Sequence, residues 1–260
     1  MLLAIDVGNT HVVIGLMEDD AVLGSGRFHT DRDYTEEEYG MLIDSYLRRH
    51  KYDPGQVQGA ILSSVVPQLT PVFTRAIDMV CDCLPMVIGP GIKTGLDIRI
   101  DNPAQLGSDL VVNAVAAIAK YPLPIIIFDM GTATTASVID EHGLYRGGMI
   151  IPGLRLSVNA LSARAAQLPL NIGLEAPEQV IGTNTIASMR SGALYGHAAA
   201  LDGIIDRIAE ELGFPVEAVT VIGTGGLMQA VYPLCRREII FEPELMLYGL
   251  AQIYRKNLRG

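Results

Sequence analysis

The sequence predicts an α/β protein made of two similar halves, with a ligand held between them. One pattern that occurs twice carries this prediction: an apolar strand, an Asp, a glycine-containing turn, small polar residues and a second strand. The first copy covers residues 2–15 with its acid at Asp6, and the second covers residues 125–139 with its acid at Asp129. The two acids are 129 − 6 = 123 positions apart, close to half of the 260-residue chain.

Strand and helix patterns alternate through both halves. In the first half, β-branched runs predict strands at 2–5, 12–17, 21–29, 58–63 and 86–88. Helices are predicted between and after them at 36–50, 71–80 and 106–120. In the second half, a hairpin at 125–140 and a strand at 145–150 precede helices at 154–167 and 187–212. The first of these two helices carries apolar residues at a spacing of three to four, which is typical of an amphipathic helix.

The two acidic turns have the chemistry of a phosphate site. Gly8 and Gly131 remove side chains where backbone must approach a ligand, and backbone N–H groups in such a turn form an anion-binding concavity. Neutral hydrogen-bond donors follow at Asn9, Thr10, Thr132 and Thr134. The two Asp side chains would repel a bare phosphate, so a cation is implied, and Mg²⁺ binds through one or two carboxylates plus substrate phosphates. The alternative is that each turn is an ordinary hairpin turn.

A third glycine cluster, Gly223-Thr224-Gly225-Gly226, follows a β-branched run at 218–222 and precedes a helical pattern at 227–232. A strand, glycines and a helix in this order are typical of a nucleotide-contacting turn. The chain contains no Gly-Lys-Ser/Thr, so this cluster is not a Walker motif.

These three clusters, taken in order, resemble the motifs of type III pantothenate kinases, which belong to the acetate kinase/sugar kinase/Hsp70/actin superfamily. The residues 6–10 and 129–135 resemble the two phosphate motifs, and 223–226 the adenosine motif. Asp101-Asn102-Pro103 leading to Gly107-Ser108-Asp109 resembles the pantothenate motif. Further family segments match at 151–153 and at 182–185, running into 191–192. The resemblance extends from Met1 to about Tyr254.

The resemblance implies a duplicated actin-like (ribonuclease H-like) two-lobe fold, with the nucleotide site between lobes at 1–117 and 118–260. It implies ATP-dependent phosphorylation of pantothenate to 4′-phosphopantothenate, the first step of coenzyme A biosynthesis, by a homodimer whose long C-terminal-lobe helices form the interface. Asp109 is the implied general base, Asp6 the Mg²⁺ ligand and Asp129 the contact for a monovalent cation, K⁺ or NH₄⁺. Contacts to ATP are implied for Asp6, Gly8, Asn9, Thr10, Gly131, Thr132, Gly223, Gly225 and Gly226. Contacts to pantothenate are implied for Gly107, Ser108 and Asp109, with Thr185 reaching the partner's substrate.

One position departs from the family pattern. The pantothenate motif normally ends with Arg, which is expected to bind the pantothenate carboxylate, but this chain has Leu110 there. An Arg–carboxylate contact is charge-assisted and often bidentate, and Leu cannot make it. Two alternatives follow: a kinase-like paralogue acting on another small alcohol, or a nucleotide-binding regulatory protein with weak or no pantothenate kinase activity.

The composition fits an enzyme of the cytoplasm. The formal net charge of −10 argues against nucleic acid as a partner. Hydrophobic residues make up 49% and the mean hydropathy is +0.31, but no run of about 18 uncharged apolar residues occurs, so no membrane partner is expected. Cys81, Cys83 and Cys235 lack zinc-site spacing and are expected to be reduced thiols.

Overall fold

The computed structural model describes residues 1–165, 167–170 and 172–258, which form two compact units. The first unit contains Met1–Leu96, Asn102–Ala119 and the C-terminal segment from Glu244, and the second contains Asp97–Asp101 and Lys120–Pro243. Each unit is built on one mixed β-sheet with helices packed against it.

The sheet of the first unit has five strands in the order β3-β2-β1-β4-β5. Their bounds are β1 Leu2–Val7, β2 His11–Glu18, β3 Ala21–His29, β4 Gly59–Ser64 and β5 Met86–Val87. The first three strands form an antiparallel meander, whereas β4 pairs parallel with β1 and β5 parallel with β4. The central β1 is apolar and buried over most of its length because helices cover both faces of the sheet.

Four helices belong to the first unit: α1 Glu36–Arg49, α2 Thr70–Cys81, α3 Ser108–Lys120 and, at the C-terminus, α7 Leu245–Leu258. A capping box begins α1, because Glu38 N donates to Thr35 Oγ1 and Thr35 N donates to Glu38 Oε2. Side chains of α1 and α2 fill the core on one face of the sheet, and those of α3 and α7 the core on the other. A Cβ on Gly249 of α7 would lie 2.3 Å from Val112 O of α3, so this close helix contact requires glycine.

The sheet of the second unit has six strands in the order β11-β10-β7-β8-β9-β6. Their bounds are β6 Asp97–Ile98, β7 Ile125–Met130, β8 Ala133–Ile139, β9 Leu144–Pro152, β10 Thr220–Thr224 and β11 Ile240–Phe241. Its helices are α4 Leu154–Arg164, α5 Thr185–Leu212 and the short α6 Met228–Val231. The main core packs the central strands against α5.

The two sheets share one topology. The strands β7, β8 and β9 form an antiparallel meander, and β10 and β11 add parallel strands beside β7, as β4 and β5 do beside β1. The order β3-β2-β1-β4-β5 therefore recurs as β9-β8-β7-β10-β11, with β6 as an addition at the edge. This confirms the predicted duplication and the predicted α/β fold class.

The compact units differ from the predicted lobes 1–117 and 118–260 at two segments. The C-terminal α7 belongs to the first unit because its apolar face, including Leu247 and Leu250, packs into the core formed with β1 and α3. The short β6 belongs to the second unit because it pairs with Leu144 and Tyr145 of β9. Both assignments depend on contacts between segments far apart in the sequence.

Several helix ends also differ from the predicted ones. The helix predicted at 106–120 begins at Ser108, because 103–105 form a separate 3₁₀ turn that starts with a proline. The helix predicted at 154–167 ends at Arg164, and Ala166 of that range lies outside the described residues. The helix predicted at 187–212 begins at Thr185, because Asn184 caps it by accepting a hydrogen bond from Ala187 N at 2.9 Å.

In the part of the chain that the structure describes, no helix combines the length and the apolar character needed to cross a membrane.

Candidate functional site

The turn between β1 and β2 is a tight, supported loop. Gly8 N donates to His11 O at 3.0 Å, and a Cβ on Gly8 would lie 2.9 Å from that oxygen. The buried Thr30 supports the loop from β3, since its Oγ1 donates to Gly8 O at 2.7 Å and its N donates to Thr10 O at 2.9 Å. These three hydrogen bonds hold the loop between β1 and β2 in place.

Asn9 is exposed at the tip of this turn. Its Oδ1 accepts a hydrogen bond from Arg32 Nη2 at 3.1 Å, which fixes the amide so that Nδ2 presents its two hydrogens away from the guanidinium. A carboxamide oriented in this way is a neutral donor, as the sequence predicts for this position.

Asp6 lies at the end of β1, in register with Ser63 of β4 and Val13 of β2. The hydroxyl groups of Ser63 and Ser108 are 3.1 Å apart, and Ser108 Oγ also donates to Ser64 O at 3.4 Å. These bonds fasten the start of α3 to the strand beside Asp6. The structure thus brings together, within the first unit, the first phosphate motif and residues 107–109 of the predicted pantothenate motif.

Asp109 is half-buried in the first turn of α3. Its Oδ1 accepts a hydrogen bond from Leu110 N at 2.9 Å, and a Cβ on Gly107 would lie 2.4 Å from the same oxygen. The glycine therefore makes room for the carboxylate. Burial raises the pKa of Asp109 above its ordinary value, and the backbone hydrogen bonds from Leu110 and Asp109 oppose this effect only in part. A carboxylate with a raised pKa is a stronger proton acceptor than an ordinary one.

The second acidic turn repeats the first in a shorter form. Gly131 N donates to Ala133 O at 3.0 Å, so only Gly131 and Thr132 connect β7 to β8. A Cβ on Gly131 would meet Ala133 O at 3.7 Å, an ordinary contact distance. Nothing within the unit requires glycine here, which is the condition expected where a ligand approaches the backbone.

The third glycine cluster lies directly against this turn. Thr224 at the end of β10 is in register with Asp129 of β7. Gly225 has φ +90°, and a Cβ there would lie 2.6 Å from both Asp129 Oδ1 and Met130 N. Only glycine satisfies both the conformation and the close approach. The structure therefore brings the second phosphate motif and the adenosine motif together in the second unit.

The members of this cluster are not equally accessible. Gly223 is buried, and a Cβ there would lie 2.8 Å from the side chain of Met228. Gly226 is exposed and Gly225 is half-buried. A ligand on this turn would meet Gly225 and Gly226, while Gly223 serves the packing of α6.

In the two sheets, corresponding residues lie in corresponding rows, a row being a set of residues in register across neighbouring strands. In each sheet the acid lies beside a hydroxyl residue on the parallel neighbour, Ser63 in one and Thr224 in the other. On the antiparallel side, the row of Asp6 crosses β2 and ends at Arg27 of β3. The row of Asp129 crosses β8 and ends at Ile150 of β9. Residues directly opposite on paired strands share a face, so each acid shares a sheet face with its hydroxyl neighbour.

Thr185 lies in the second unit at the first position of α5 and is exposed. It lines a cavity of about 590 Å³ between α4 and α5, together with apolar side chains and His197. The other residues predicted to bind pantothenate, Gly107, Ser108 and Asp109, belong to the first unit.

The described residues contain no group of three or more His, Cys, Asp or Glu side chains arranged to hold a metal. The oxygen ligands offered around Asp6 are its own carboxylate and the hydroxyl group of the neighbouring Ser63. This set fits Mg²⁺, which keeps several waters and takes its remaining ligands from the phosphates of a nucleotide.

Sequence analysis overlooked three residues that shape these turns. Thr30 supports the first turn, and Ser63 links Asp6 to α3. Gly153 lies against the second turn, since a Cβ there would be 2.3 Å from Thr132 O. Gly153 belongs to a segment that matches the family, but no local pattern links any of the three to a turn more than 15 residues away.

Comparisons with known proteins agree on one family. The sequence model of type III pantothenate kinases matches residues 2–207. A type III pantothenate kinase of Exiguobacterium sp. (strain ATCC BAA-1283 / AT1b) is 46% identical over 257 residues, covering 99% of each chain. A type III pantothenate kinase of Geobacillus kaustophilus is 42% identical over 257 residues, covering 99% of this chain and 98% of the relative.

Solved structures with the same fold are more distant in sequence. A Baf family transcriptional activator from Campylobacter jejuni aligns with a TM-score of 0.62 and 16% identity over 99% of this chain and all of its own. A ROK hexokinase from Thermus thermophilus aligns with a TM-score of 0.53 and 12% identity over 100% of this chain and 99% of its own. Both likenesses support the actin-like two-lobe fold.

Proposed function

The chain belongs to the type III pantothenate kinase family, and from that premise we propose how its residues carry out the ATP-dependent phosphorylation of pantothenate, the first step of coenzyme A biosynthesis. The observation that carries the assignment of roles is the Ser63–Ser108 hydroxyl contact at 3.1 Å. It holds the start of α3, and with it Asp109, next to the strand end that bears Asp6.

Each unit supplies one glycine turn for the phosphates of ATP. The proposed phosphate contacts are the backbone of Asn9 and Thr10 and the amide of Asn9 in the first unit, and the backbone of Thr132 in the second. Gly8 and Gly131, whose N–H groups donate to His11 O and Ala133 O, leave room for the phosphates to approach. The adenosine is assigned to Gly225 and Gly226, at the exposed end of the β10 turn. Donors fixed in advance stabilise the charge of the transferring group without reorganising during the reaction.

Asp6 is the proposed ligand for Mg²⁺, directly or through water. When bound, Mg²⁺ neutralises charge on the phosphate oxygens. Asp129 is the proposed contact for a monovalent cation, K⁺ or NH₄⁺. The absence of a side chain at Gly225 supports this role, because a Cβ there would lie 2.6 Å from Asp129 Oδ1 and the glycine leaves that space to the carboxylate.

Asp109 is the proposed general base. It accepts the proton of the pantothenate hydroxyl as the oxygen attacks the terminal phosphorus of ATP, and ADP leaves. Half-burial and the raised pKa of Asp109 suit this task, because the ionised carboxylate is then a stronger proton acceptor than an exposed one. Gly107 supports the base by leaving space for its carboxylate.

We also propose that the protein works as a homodimer through α4 and α5, with Thr185 reaching the partner's substrate. Large apolar side chains on these two helices are exposed: Leu161 of α4 is 51% and Ile186 of α5 44% exposed. Gly192 and Gly196 stand one turn apart inside α5, and a Cβ on either would meet nothing within 4 Å. Glycine inside a helix costs about 1 kcal/mol relative to Ala, and close approach of a partner helix would account for it.

The test is an assay of ADP release with pantothenate, Mg²⁺ and K⁺, run beside a panel of other small alcohols. Turnover that requires pantothenate, and that is lost in Asp109→Asn while ATP still binds, supports the proposal. ADP release with another alcohol alone would assign the chain to a paralogue. ATP binding without any turnover would assign it a regulatory role.

A further inference from the structure

Two arginines beside the first phosphate turn have neutral hydrogen-bond partners. Arg27 Nη2 lies 2.9 Å from His11 Nδ1, and Arg32 Nη2 lies 3.1 Å from Asn9 Oδ1. Neither guanidinium forms an ion pair with a carboxylate of the described residues, although the chain carries a formal net charge of −10. Elsewhere in the first unit, arginines such as Arg75 have a carboxylate partner.

Arg27 lies on the sheet face of Asp6. The row Ser63, Asp6, Val13 and Arg27 crosses four neighbouring strands in register, so these side chains share one face of the sheet. The same row carries, on the far side of Asp6 from Arg27, the serine that holds α3. The corresponding position in the second unit is Ile150, so the cation is not a general property of the duplicated fold.

The contact with His11 turns Arg27 towards the phosphate turn. His11 directly follows Thr10 and is in register with His29 of β3. Arg27 lies two residues before His29 on the same strand, so its side chain is on the same face of the sheet. Because a guanidinium can only donate, His11 Nδ1 accepts, and the ring is the neutral tautomer with its proton on Nε2. Burial and the nearby Arg27 and His29 lower the pKa of His11, which favours the neutral ring that this contact requires.

Arg32 is the weaker candidate for an anion contact. It is flanked in sequence by Asp31 and Asp33, whose charges offset its own, and its hydrogen bond serves to orient Asn9. Arg27 has no acidic neighbour in sequence, and its side chain is exposed. One guanidinium nitrogen contacts the His11 imidazole, which leaves the other N–H donors of the guanidinium for a further partner.

We propose that Arg27, oriented by His11, binds the phosphate chain of the nucleotide in the proposed kinase reaction. A guanidinium matches phosphate oxygens with two parallel hydrogen bonds, and here the side chain stands on the face of the Mg²⁺ ligand Asp6 and beside the glycine turn. Arg27 is thus a phosphate-binding residue outside the six motif segments, and His11 is its positioning residue. The inference rests on the proposed function for the identity of the anion.

Calorimetric titration with Mg·ATP and Mg·ADP tests the proposal without requiring turnover. Arg27→Met is expected to raise the Kd of both nucleotides by roughly ten- to a hundredfold, the usual range for charge-assisted bonds. Arg27→Lys is expected to fall between wild type and Arg27→Met. Arg48→Met is the matched control, because Arg48 lies on α1 in an ion pair with Asp44 and its loss leaves the nucleotide affinity unchanged. Thermal unfolding checks that each variant is folded.

In steady-state assays, Arg27→Met is expected to raise the KM for ATP and to leave the KM for pantothenate within twofold. His11→Ala, which frees the guanidinium, is expected to raise the KM for ATP by less than Arg27→Met does. Unchanged nucleotide affinity in a folded Arg27→Met variant would overturn the proposal, as would an increase confined to the KM for pantothenate. If wild-type protein binds Mg·ATP but does not phosphorylate pantothenate, the proposed function fails while the calorimetric test of Arg27 still decides this inference.

Discussion

Gly225 combines a positive φ with a close approach to neighbouring backbone, and Gly225→Ala tests the geometry of the second acidic turn. The variant must hold φ +90°, which costs about 1–3 kcal/mol for a residue with a side chain. Its methyl group must also displace Asp129 Oδ1 and Met130 N, each 2.6 Å away, and overpacking typically costs about 1–3 kcal/mol. The sum is a loss of about 2–6 kcal/mol.

Thermal unfolding measures this loss. At roughly 2–4 °C per kcal/mol for a chain of this size, the Tm of Gly225→Ala is expected to fall by roughly 4–24 °C. Gly131→Ala is the matched control on the same turn: its Cβ would be 3.7 Å from the nearest atom, and its φ is not positive. Its Tm is expected to stay near that of wild type while its affinity for ATP falls, because the methyl group meets the ligand rather than the protein. Equal Tm values for Gly225→Ala and wild type would refute this description of the turn.

Three further changes test the proposed roles. Asp109→Asn is expected to lower kcat by roughly 10²–10⁴-fold with normal nucleotide binding, and near-normal turnover would remove Asp109 from the mechanism. Because the pKa of Asp109 is raised, its protonated, inactive form persists to a higher pH than that of an ordinary Asp. On acidification, kcat/KM is therefore expected to fall at a higher pH than it would with an unperturbed carboxylate as the base. Leu110→Arg is expected to improve kcat/KM for pantothenate by roughly tenfold or more, since hydrogen bonds to charged groups contribute about 1.5–3 kcal/mol; weaker substrate binding would mean that another residue holds the carboxylate. Gly196→Leu on α5 is expected to weaken a dimer in light scattering, with Gly55→Leu at an exposed position of the first unit as a control, and an unchanged dimer would exclude this helix face from the interface.

The sequence was sufficient for those features that depend on local pattern. The two hairpins and their acidic ends follow from alternation and turn glycines. Because the pattern recurs at Asp6 and Asp129, the duplication could be predicted before any sheet order was known.

The remaining features depend on pairing between distant segments. The return of α7 to the first sheet and the pairing of β6 with β9 could not be read from local periodicity, because apolar residues such as Leu247 fit either core. For the same reason, the sequence alone did not predict the Ser63–Ser108 contact or the row in which Arg27 shares a sheet face with Asp6. Register decides which side chains share a face, and register is fixed only by the folded sheet.

The most direct test of the proposed reaction is the product formed by wild-type protein from ATP and pantothenate in the presence of Mg²⁺ and K⁺. The residue roles assigned to Asp6, Asp109 and the two glycine turns predict one 4′-phosphopantothenate for each ADP released, with both products lost together in Asp109→Asn. Mass spectrometry of the product and coupled detection of ADP measure this stoichiometry. ADP released without phosphorylated pantothenate, or phosphorylated pantothenate formed at the wild-type rate by folded Asp109→Asn, would contradict it.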